Sequence, residues 1–175
     1  MTDLLALSVL VSVLALLYAR WDYRRRCHLS LIGLFLLCMM LFLPNFLLYK
    51  TVDYALPVTP VDFVGLFISV VGLALCLQGM IAFGSVAKVM CLQNDRLTLD
   101  GAYQWSRNPQ YVGWLLCLLG FSLNDWSQMC LAVLLLVMIS LHYLVLIEEE
   151  HLRRVFGDPY VEFCRKVPRY WSWRR

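Results

Sequence analysis

Five apolar runs constrain the fold of this chain more than any other feature of its sequence. Hydrophobic residues make up 61% of the 175 residues and charged residues 15%, against about 45–50% and about 25% in ordinary globular domains. Runs of this length and composition cross a hydrocarbon core of about 30 Å as helices. The sequence therefore predicts an all-α, polytopic membrane protein with five transmembrane helices and a cytoplasmic C-terminal helical extension. The predicted spans are Leu4–Ala19, Leu29–Tyr49, Val61–Phe83, Pro109–Leu123 and Ser127–Ile147.

The basic residues predict the orientation of these helices. Of the 15 Lys and Arg residues, a five-span topology leaves Lys50 alone on one side and all the others on the opposite side. Basic loops stay in the cytoplasm, so the N-terminus is predicted outside and the C-terminus and active site inside. The first run is expected to be a retained helix, because Asp3 replaces the basic start of a signal peptide.

The composition also argues against two classes of function. The seven cysteines form no C-x-x-C pair, so neither a metal site nor a disulfide framework is expected. No basic helix carries base-stacking aromatic residues, which argues against nucleic-acid binding.

The chain is predicted to form a single membrane domain, 1–175, with two functional regions. Residues 1–83 form a three-helix scaffold and residues 84–175 a cofactor-binding catalytic region. In the third run Gly65, Gly72 and Gly79 recur every seven residues, which places them on one helix face and favours close packing of a neighbouring helix.

The segment Trp105–Gly113 predicts a helix start that can hold an anion. Asn108 is a residue type that caps helices through its side chain, and Pro109 suits the first helical position. The positive end of the helix dipole would then lie beside Arg107, where an anion is stabilised.

A second polar segment follows the fifth run, whose helical pattern continues through Phe156. At most one or two of the three carboxylates of Glu148–Glu150 can face the other helices. A solvated acidic collar, paired with Arg153 and Arg154, is the alternative. The tight connection between the fourth and fifth runs predicts a hairpin that brings Arg107–Tyr111 close to Glu148–Glu150.

Several smaller features follow from the same region. Gly157 is expected to end the long helix, and Asp158 with Pro159 to cap a short helix that runs through Lys166. His142 lies deep in the fifth span, where it either bonds a neighbouring helix or contacts an acceptor. His28 and His151 are expected to be solvated at the interface.

Together these segments resemble the isoprenylcysteine carboxyl methyltransferase and phospholipid methyltransferase family. The shared pattern is Arg-x-Pro-x-Tyr-x-Gly, a hydrophobic hairpin, Glu-Glu-x-x-Leu-x-x-x-Phe-Gly-x-x-Tyr and a late Val-Pro-Arg. It covers about the last 75 residues and is carried by thirteen positions: Arg107, Pro109, Tyr111, Gly113, Glu148, Glu149, Leu152, Phe156, Gly157, Tyr160, Val167, Pro168 and Arg169.

The resemblance implies S-adenosyl-L-methionine as the methyl donor, held at the cytoplasmic membrane face without a Rossmann domain. Its carboxylate suits Arg107 and the following helix start, and its cationic groups suit Glu148 or Glu149. These three residues are the predicted catalytic set. The predicted cofactor-binding residues are Arg107, Asn108, Pro109, Tyr111, Gly113, Glu149, Phe156, Gly157 and Tyr160.

The acceptor is expected to be lipophilic and to enter from the bilayer. The resemblance favours the carboxyl group of an isoprenylcysteine, with a phospholipid, amine or thiol acceptor as the alternative. An NADPH-dependent membrane reductase and a non-catalytic scaffold are the competing classes. The chain departs from the family at two positions: Asn108 stands where the family commonly has a His, and Phe163 stands where it has a Tyr.

Overall fold

The computed structural model describes residues 1–26, 28–52, 59–82, 101–123 and 126–171, and all regular structure in these ranges is helical. The predicted all-α fold is thereby confirmed for this part of the chain. Most of the polar segment 84–107, including Lys88, lies outside the described residues. The helices are α1 (Thr2–Arg26), α2 (Leu31–Thr51), α3 (Pro60–Ala82), a 3-10 turn (Gly101–Gln104), α4 (Pro109–Ser122), α5 (Gln128–Phe156) and α6 (Asp158–Lys166).

Four of these helices are long and apolar enough to cross a membrane: α1, α2, α3 and α5. The chain is therefore a multi-pass integral membrane protein. The fourth apolar run forms only the 14-residue helix α4, which at 1.5 Å per residue reaches about 21 Å. This is shorter than a hydrocarbon core of about 30 Å, so a fifth complete crossing stays a prediction, as does the orientation.

The helices alternate in direction, and one end of the bundle gathers the polar residues. The C-terminal part of α5 meets the end of α1, where Arg24 Nη2 lies 2.9 Å from Glu150 Oε1. It also meets the start of α4, where Tyr111 bonds Glu148. The end of α3 packs against the same start of α4 through Gly79 and Gln110.

The glycine face of α3 is packed against α4, as the sequence predicts. A Cβ added to Gly72 would lie 2.4 Å from the Cys117 backbone nitrogen, and one added to Gly113 would lie 2.4 Å from the Cys76 nitrogen. Only glycine permits backbones to approach this closely. The α3–α4 contact therefore depends on small residues contributed by both helices.

Small and aliphatic side chains fill the remaining core between α1, α2 and α5. Ala15 and Ala19 of α1, Leu47 of α2 and Val133 of α5 are fully buried. The outer faces are apolar and exposed, as at Phe67 and Ile81, which suits contact with lipid. A second, smaller cluster lies at the polar end and consists of Tyr160, Phe163 and Val167.

The local predictions at helix ends have different outcomes. Gly157 ends α5 with φ +59°, a backbone conformation that favours glycine. Asp158 is not the cap of α6, because Gly157 occupies the N-cap position and Asp158 is the first residue of the helix. α2 continues through Pro44 to Thr51, and α1 continues past its predicted end to Arg26.

Candidate active site

Glu149 is the centre of a charge cluster at the polar end of the bundle. Its side chain is 4% exposed. Arg169 binds both carboxylate oxygens, with Nε 3.0 Å from Oε1 and Nη2 2.8 Å from Oε2. Arg107 Nη1 lies 3.1 Å from Oε1, and Arg153 lies one helical turn along α5 at 3.7 Å. Glu149 is thus a buried counter-ion for three guanidinium groups, and the solvated-collar alternative is wrong for this residue.

Arg107 is held by both its backbone and its side chain. Its backbone N–H donates to the Pro168 carbonyl at 2.9 Å, and its guanidinium also donates to the Cys164 sulfur. The side chain is 9% exposed. Its Nε is buried and has no hydrogen-bond partner among the described residues. A buried guanidinium N–H without a partner is costly, so this atom offers a donor to a bound anion.

Asn108 does not cap α4 with its side chain, contrary to the prediction. The helix does begin at Pro109, but the Asn108 side chain makes no capping bond. Instead Asn108 Nδ2 donates to the Arg169 carbonyl at 3.1 Å, and Ser106 Oγ donates to the same carbonyl at 3.2 Å. The reason is that the C-terminal tail passes here and presents a partly buried carbonyl as an acceptor.

Glu148 lies on the side of the cluster next to α4 and is hydrogen-bonded to that helix. It accepts a hydrogen bond of 2.7 Å from the Tyr111 hydroxyl. Both side chains are half-buried. The predicted proximity of Arg107–Tyr111 to Glu148–Glu150 is therefore confirmed, with Arg107 on Glu149 and Tyr111 on Glu148.

Tyr111 also lines a groove between α4 and α5 that has a volume of about 820 Å³. The described lining is mainly aliphatic and includes no Asp, Glu, Lys or Arg. Its residues are Tyr111, Val112, Leu115, Leu116, Leu119, Met138, Ile139, Leu141, His142, Tyr143, Leu146 and Tyr170. An apolar groove thus meets a charged cluster at Tyr111.

His142 opens onto this groove. Its Nδ1 lies 2.9 Å from the Tyr170 hydroxyl, so its hydrogen bond is to the C-terminal tail and not to a neighbouring membrane helix. Burial raises the pKa of Tyr170 above its ordinary value, which keeps that phenol protonated. His142 and Tyr170 together close one side of the groove.

Glu150 and His151 lie on the remaining faces of α5. Glu150 contacts Arg20 and Arg24 of α1 at 3.4 and 2.9 Å and also Arg154, so it joins α1 to α5. His151 is 3% exposed and stacks on Tyr23, with ring centroids 4.4 Å apart. The prediction that His151 is solvated is wrong, because α1 covers this face; exposed His28 fits its prediction.

The other predicted donor-binding residues lie at different distances from the cluster. Tyr160 is buried, and desolvation together with the Glu149 charge raises the pKa of its phenol well above the ordinary value. Phe156 packs against the small apolar cluster that contains Tyr160. Gly157 faces open space, whereas Gly113 is enclosed in the α3–α4 contact and so has a packing role.

Three residues of the cluster are missing from the predicted site. Arg169 is the most important, and its place in the Val-Pro-Arg motif was the available signal. Cys164 and Ser106 contact the cluster through a sulfur and a hydroxyl, and no sequence pattern marks them. Glu149 raises the pKa of Arg169 by accepting its hydrogen bonds, so this guanidinium stays charged.

The cluster carries an excess of positive charge next to an apolar groove. Three guanidinium groups surround Glu149, while Glu148 is bonded to a neutral phenol. Such an arrangement can bind a carboxylate or phosphate through charge-assisted hydrogen bonds. The fold and site define a helical membrane protein in which a buried cluster of charged residues lies beside an apolar groove.

Comparison with known proteins identifies the family. Residues 61–159 match the family described as phospholipid methyltransferase, and the chain belongs to that family. It is 30% identical over 129 residues to a protein-S-isoprenylcysteine O-methyltransferase from Xenopus laevis, covering 58% of this chain and 40% of that protein. It is 29% identical over 90 residues to protein-S-isoprenylcysteine O-methyltransferase B from Arabidopsis thaliana, covering 50% and 45%.

These matches confirm the resemblance drawn from the sequence motifs. The chain aligns with less than half the length of either curated relative. No solved structure matches the chain.

Proposed function

We propose that this protein is an integral-membrane methyltransferase that uses S-adenosyl-L-methionine and acts on a lipophilic acceptor. The observation that carries the proposal is the junction at Tyr111. This residue lines the apolar groove and bonds Glu148 beside the Arg107–Glu149 cluster. A donor site and an acceptor site must meet in this way for a methyl group to pass between them.

The donor side fits the amino-acid end of S-adenosyl-L-methionine. The Nε of Arg107, which has no partner among the described residues, and the positive excess of the cluster suit its carboxylate. Glu148, which lies on the α4 side of the cluster beside the groove, is proposed to contact its ammonium or sulfonium group. Glu149, which is bound by Arg107 and Arg169, acts as a positioning residue that holds both guanidinium groups in place.

The side chains of Phe156 and Tyr160 are proposed to form the apolar wall for the adenosine. They pack together beside the cluster. The bound donor supplies an electrophilic methyl group on a sulfonium. The protein then contributes alignment and exclusion of water, which can account for a large part of a rate enhancement.

For the acceptor, carboxyl O-methylation of an isoprenylcysteine-type substrate is the specific reaction proposed. The named relatives are isoprenylcysteine O-methyltransferases, and an apolar groove of about 820 Å³ can hold an isoprenoid chain. A carboxylate is already ionised at neutral pH and needs no base. A phospholipid amine or a small lipophilic thiol is the alternative acceptor.

Titration calorimetry with S-adenosylhomocysteine and, separately, with NADPH tests the donor. We expect the purified protein to bind S-adenosylhomocysteine. Arg107→Lys should weaken this binding by about 10- to 100-fold, because a lysine cannot supply the Nε donor or the planar fork and a charged hydrogen bond contributes about 1.5–3 kcal/mol.

Arg20→Lys is the matched control, because Arg20 is half-exposed and contacts only Glu150 among the described acidic residues. Its affinity should equal that of the wild type. Absence of S-adenosylhomocysteine binding by folded protein would overturn the proposal. Binding of NADPH instead would identify a reductase, and binding of neither would favour a non-catalytic scaffold.

A further inference from the structure

A second charge cluster, centred on Glu150, lies outside the proposed active site. Glu150 contacts Arg20 and Arg24 of α1 and Arg154 of α5, so three guanidinium groups surround one carboxylate and leave an excess of two positive charges. Arg20 and Arg24 also lie one turn apart on α1, where like charges repel. The three guanidinium groups carry more N–H donors than one carboxylate can accept. The cluster therefore has both charge and donors left for a further anion.

This second cluster is open to the surroundings, unlike the cluster around Glu149. The side chains of Arg24 and Arg154 are 49% and 44% exposed. The neighbouring Arg25 is also exposed and, among the described residues, contacts the ring of Trp21 at 5.8 Å rather than a carboxylate. An anion can therefore reach these guanidinium groups from outside the bundle.

An exposed apolar stripe runs along α1 and ends at these arginines. Its members are three or four residues apart and so share one helix face; they are Leu10, Leu14, Leu17 and Trp21. Arg24 and Arg25 follow Trp21 at the same spacing, so the stripe ends between the two guanidinium groups. A ligand bound there meets positive charge at one end and an apolar surface along its length.

The length of the stripe matches one leaflet of a bilayer. From Leu10 to Trp21 the helix rises about 16 Å, and half of a hydrocarbon core is about 15 Å. Tryptophan is enriched at the membrane–water interface, which places Arg24 and Arg25 at the level of the lipid head groups. A free phosphate ion would use the arginines but not the stripe, and a zwitterionic lipid would bring no net negative charge. A phospholipid with a net negative charge uses both.

We infer that Arg24, Arg25 and Arg154 bind the head group of an anionic phospholipid, whose acyl chains lie on the exposed stripe of α1. Guanidinium groups bind phosphate through charge-assisted hydrogen bonds, and basic clusters beside a membrane helix attract anionic lipids. Glu150 is a positioning residue for this site, because Arg24 donates to it through Nε and Nη2 at 3.2 and 2.9 Å. The site does not depend on the proposed methyltransferase function.

Native mass spectrometry of the protein in detergent tests the inference. The protein is titrated separately with phosphatidylglycerol and phosphatidylcholine that carry the same acyl chains, without a methyl donor. We expect phosphatidylglycerol to bind at least 10-fold more tightly. A basic residue near an anionic surface contributes about 5-fold to binding, so Arg24→Gln/Arg25→Gln should weaken phosphatidylglycerol binding about 10- to 30-fold and leave phosphatidylcholine binding unchanged.

Arg165→Gln/Lys166→Gln is the matched control. It removes the same two positive charges from the exposed last turn of α6 and should keep the wild-type affinity for phosphatidylglycerol. Arg24→Lys/Arg25→Lys retains the charge and loses the planar forks, so its affinity should be intermediate. Glycerol phosphate, which has the phosphate without the acyl chains, should not compete with phosphatidylglycerol.

Equal affinities of the wild type for the two lipids would overturn the inference. An equal loss in the two glutamine variants would also overturn it, because it would show a general effect of net charge. Competition by glycerol phosphate at the concentration of the lipid would instead show a site for free phosphate. Each result leaves the proposed function standing, since binding of S-adenosylhomocysteine is measured separately.

Discussion

Arg169 and Glu149 are joined by two parallel hydrogen bonds, of 3.0 Å from Nε to Oε1 and 2.8 Å from Nη2 to Oε2. This pair fixes the C-terminal tail to the end of α5. The carbonyl of Pro168 in turn accepts from the Arg107 backbone, so the tail also fixes the start of α4. The site is therefore assembled by a segment that follows the last helix.

Neutralising Glu149 should destabilise this assembly strongly. In Glu149→Gln, Arg107 and Arg169 lose their common counter-ion, and Arg107 is almost fully buried. Removal of one partner from a buried ion pair costs about 3–5 kcal/mol, and we expect a loss of this order in thermal or denaturant unfolding in detergent. Glu150→Gln is the control: its ion pairs are partly exposed and should contribute about 1 kcal/mol or less. Equal losses in the two variants would contradict the central role of Glu149.

Asn108→Asp separates two roles for this residue. A side-chain cap requires an oxygen acceptor, which Asp supplies as well as Asn. A bond to the Arg169 carbonyl requires an N–H donor, which an ionised Asp lacks. We expect Asn108→Asp to lower stability by about 1–3 kcal/mol, because the variant loses the Asn108 donor and places a negatively charged oxygen against the Arg169 carbonyl, to which Ser106 Oγ alone then donates. The loss should exceed that in Asn108→Ala, measured by thermal unfolding. An Asp variant as stable as the wild type would support a cap instead.

Gly72→Ala should disrupt the α3–α4 contact. The added Cβ would meet the Cys117 backbone nitrogen at 2.4 Å, and backbone cannot rotate away as a flexible side chain can. Overpacking costs about 1–3 kcal/mol, so the unfolding temperature should fall. Ala74→Val adds more volume on the exposed face of the same helix and should be nearly neutral. If the two variants behave alike, the helices do not pack as described.

The buried phenol of Tyr160 should make the protein lose stability at high pH. Burial first, and then the Glu149 charge, raises the pKa of this phenol in the folded protein, whereas an unfolded tyrosine ionises near pH 10. The folded state then holds a proton that the unfolded state releases. The resulting stabilisation is complete below about pH 10 and is lost as the pH rises, at up to about 1.4 kcal/mol per pH unit.

The measurement is the slope of unfolding free energy against pH above about pH 10. Tyr160→Phe should have a shallower slope than the wild type, because it has no phenol to ionise. A slope unaffected by Tyr160→Phe would show that this phenol is not shielded from water.

Much of the architecture follows from the sequence because it depends on local composition. The apolar runs, Pro109 and Gly157 set helix positions through hydrophobicity and backbone preference, and the structure agrees at each. The sevenfold glycine spacing also predicted the packing face of α3, since helical periodicity alone determines which residues share a face. The meeting of Arg107 with Glu149 followed from hairpin geometry.

The partners of individual polar groups depended on the tertiary structure. Asn108 has the sequence context of a cap, yet it bonds the Arg169 carbonyl because the returning tail places this partly buried acceptor beside it. His151 has the context of an interfacial residue, yet it stacks on Tyr23 because α1 covers that face of α5. Neither neighbour is close in the chain.

The sequence by itself determined that this protein spans a membrane, where its helices begin, and that Arg107 lies near the Glu148–Glu150 segment. The tertiary structure decided that Glu149 is the buried counter-ion, that Arg169 donates to both of its carboxylate oxygens, and that an uncharged groove opens at Tyr111. The physical reason is that helix formation and membrane insertion depend on neighbouring residues. Burial and ion pairing depend instead on which distant segments exclude water from each other's charges.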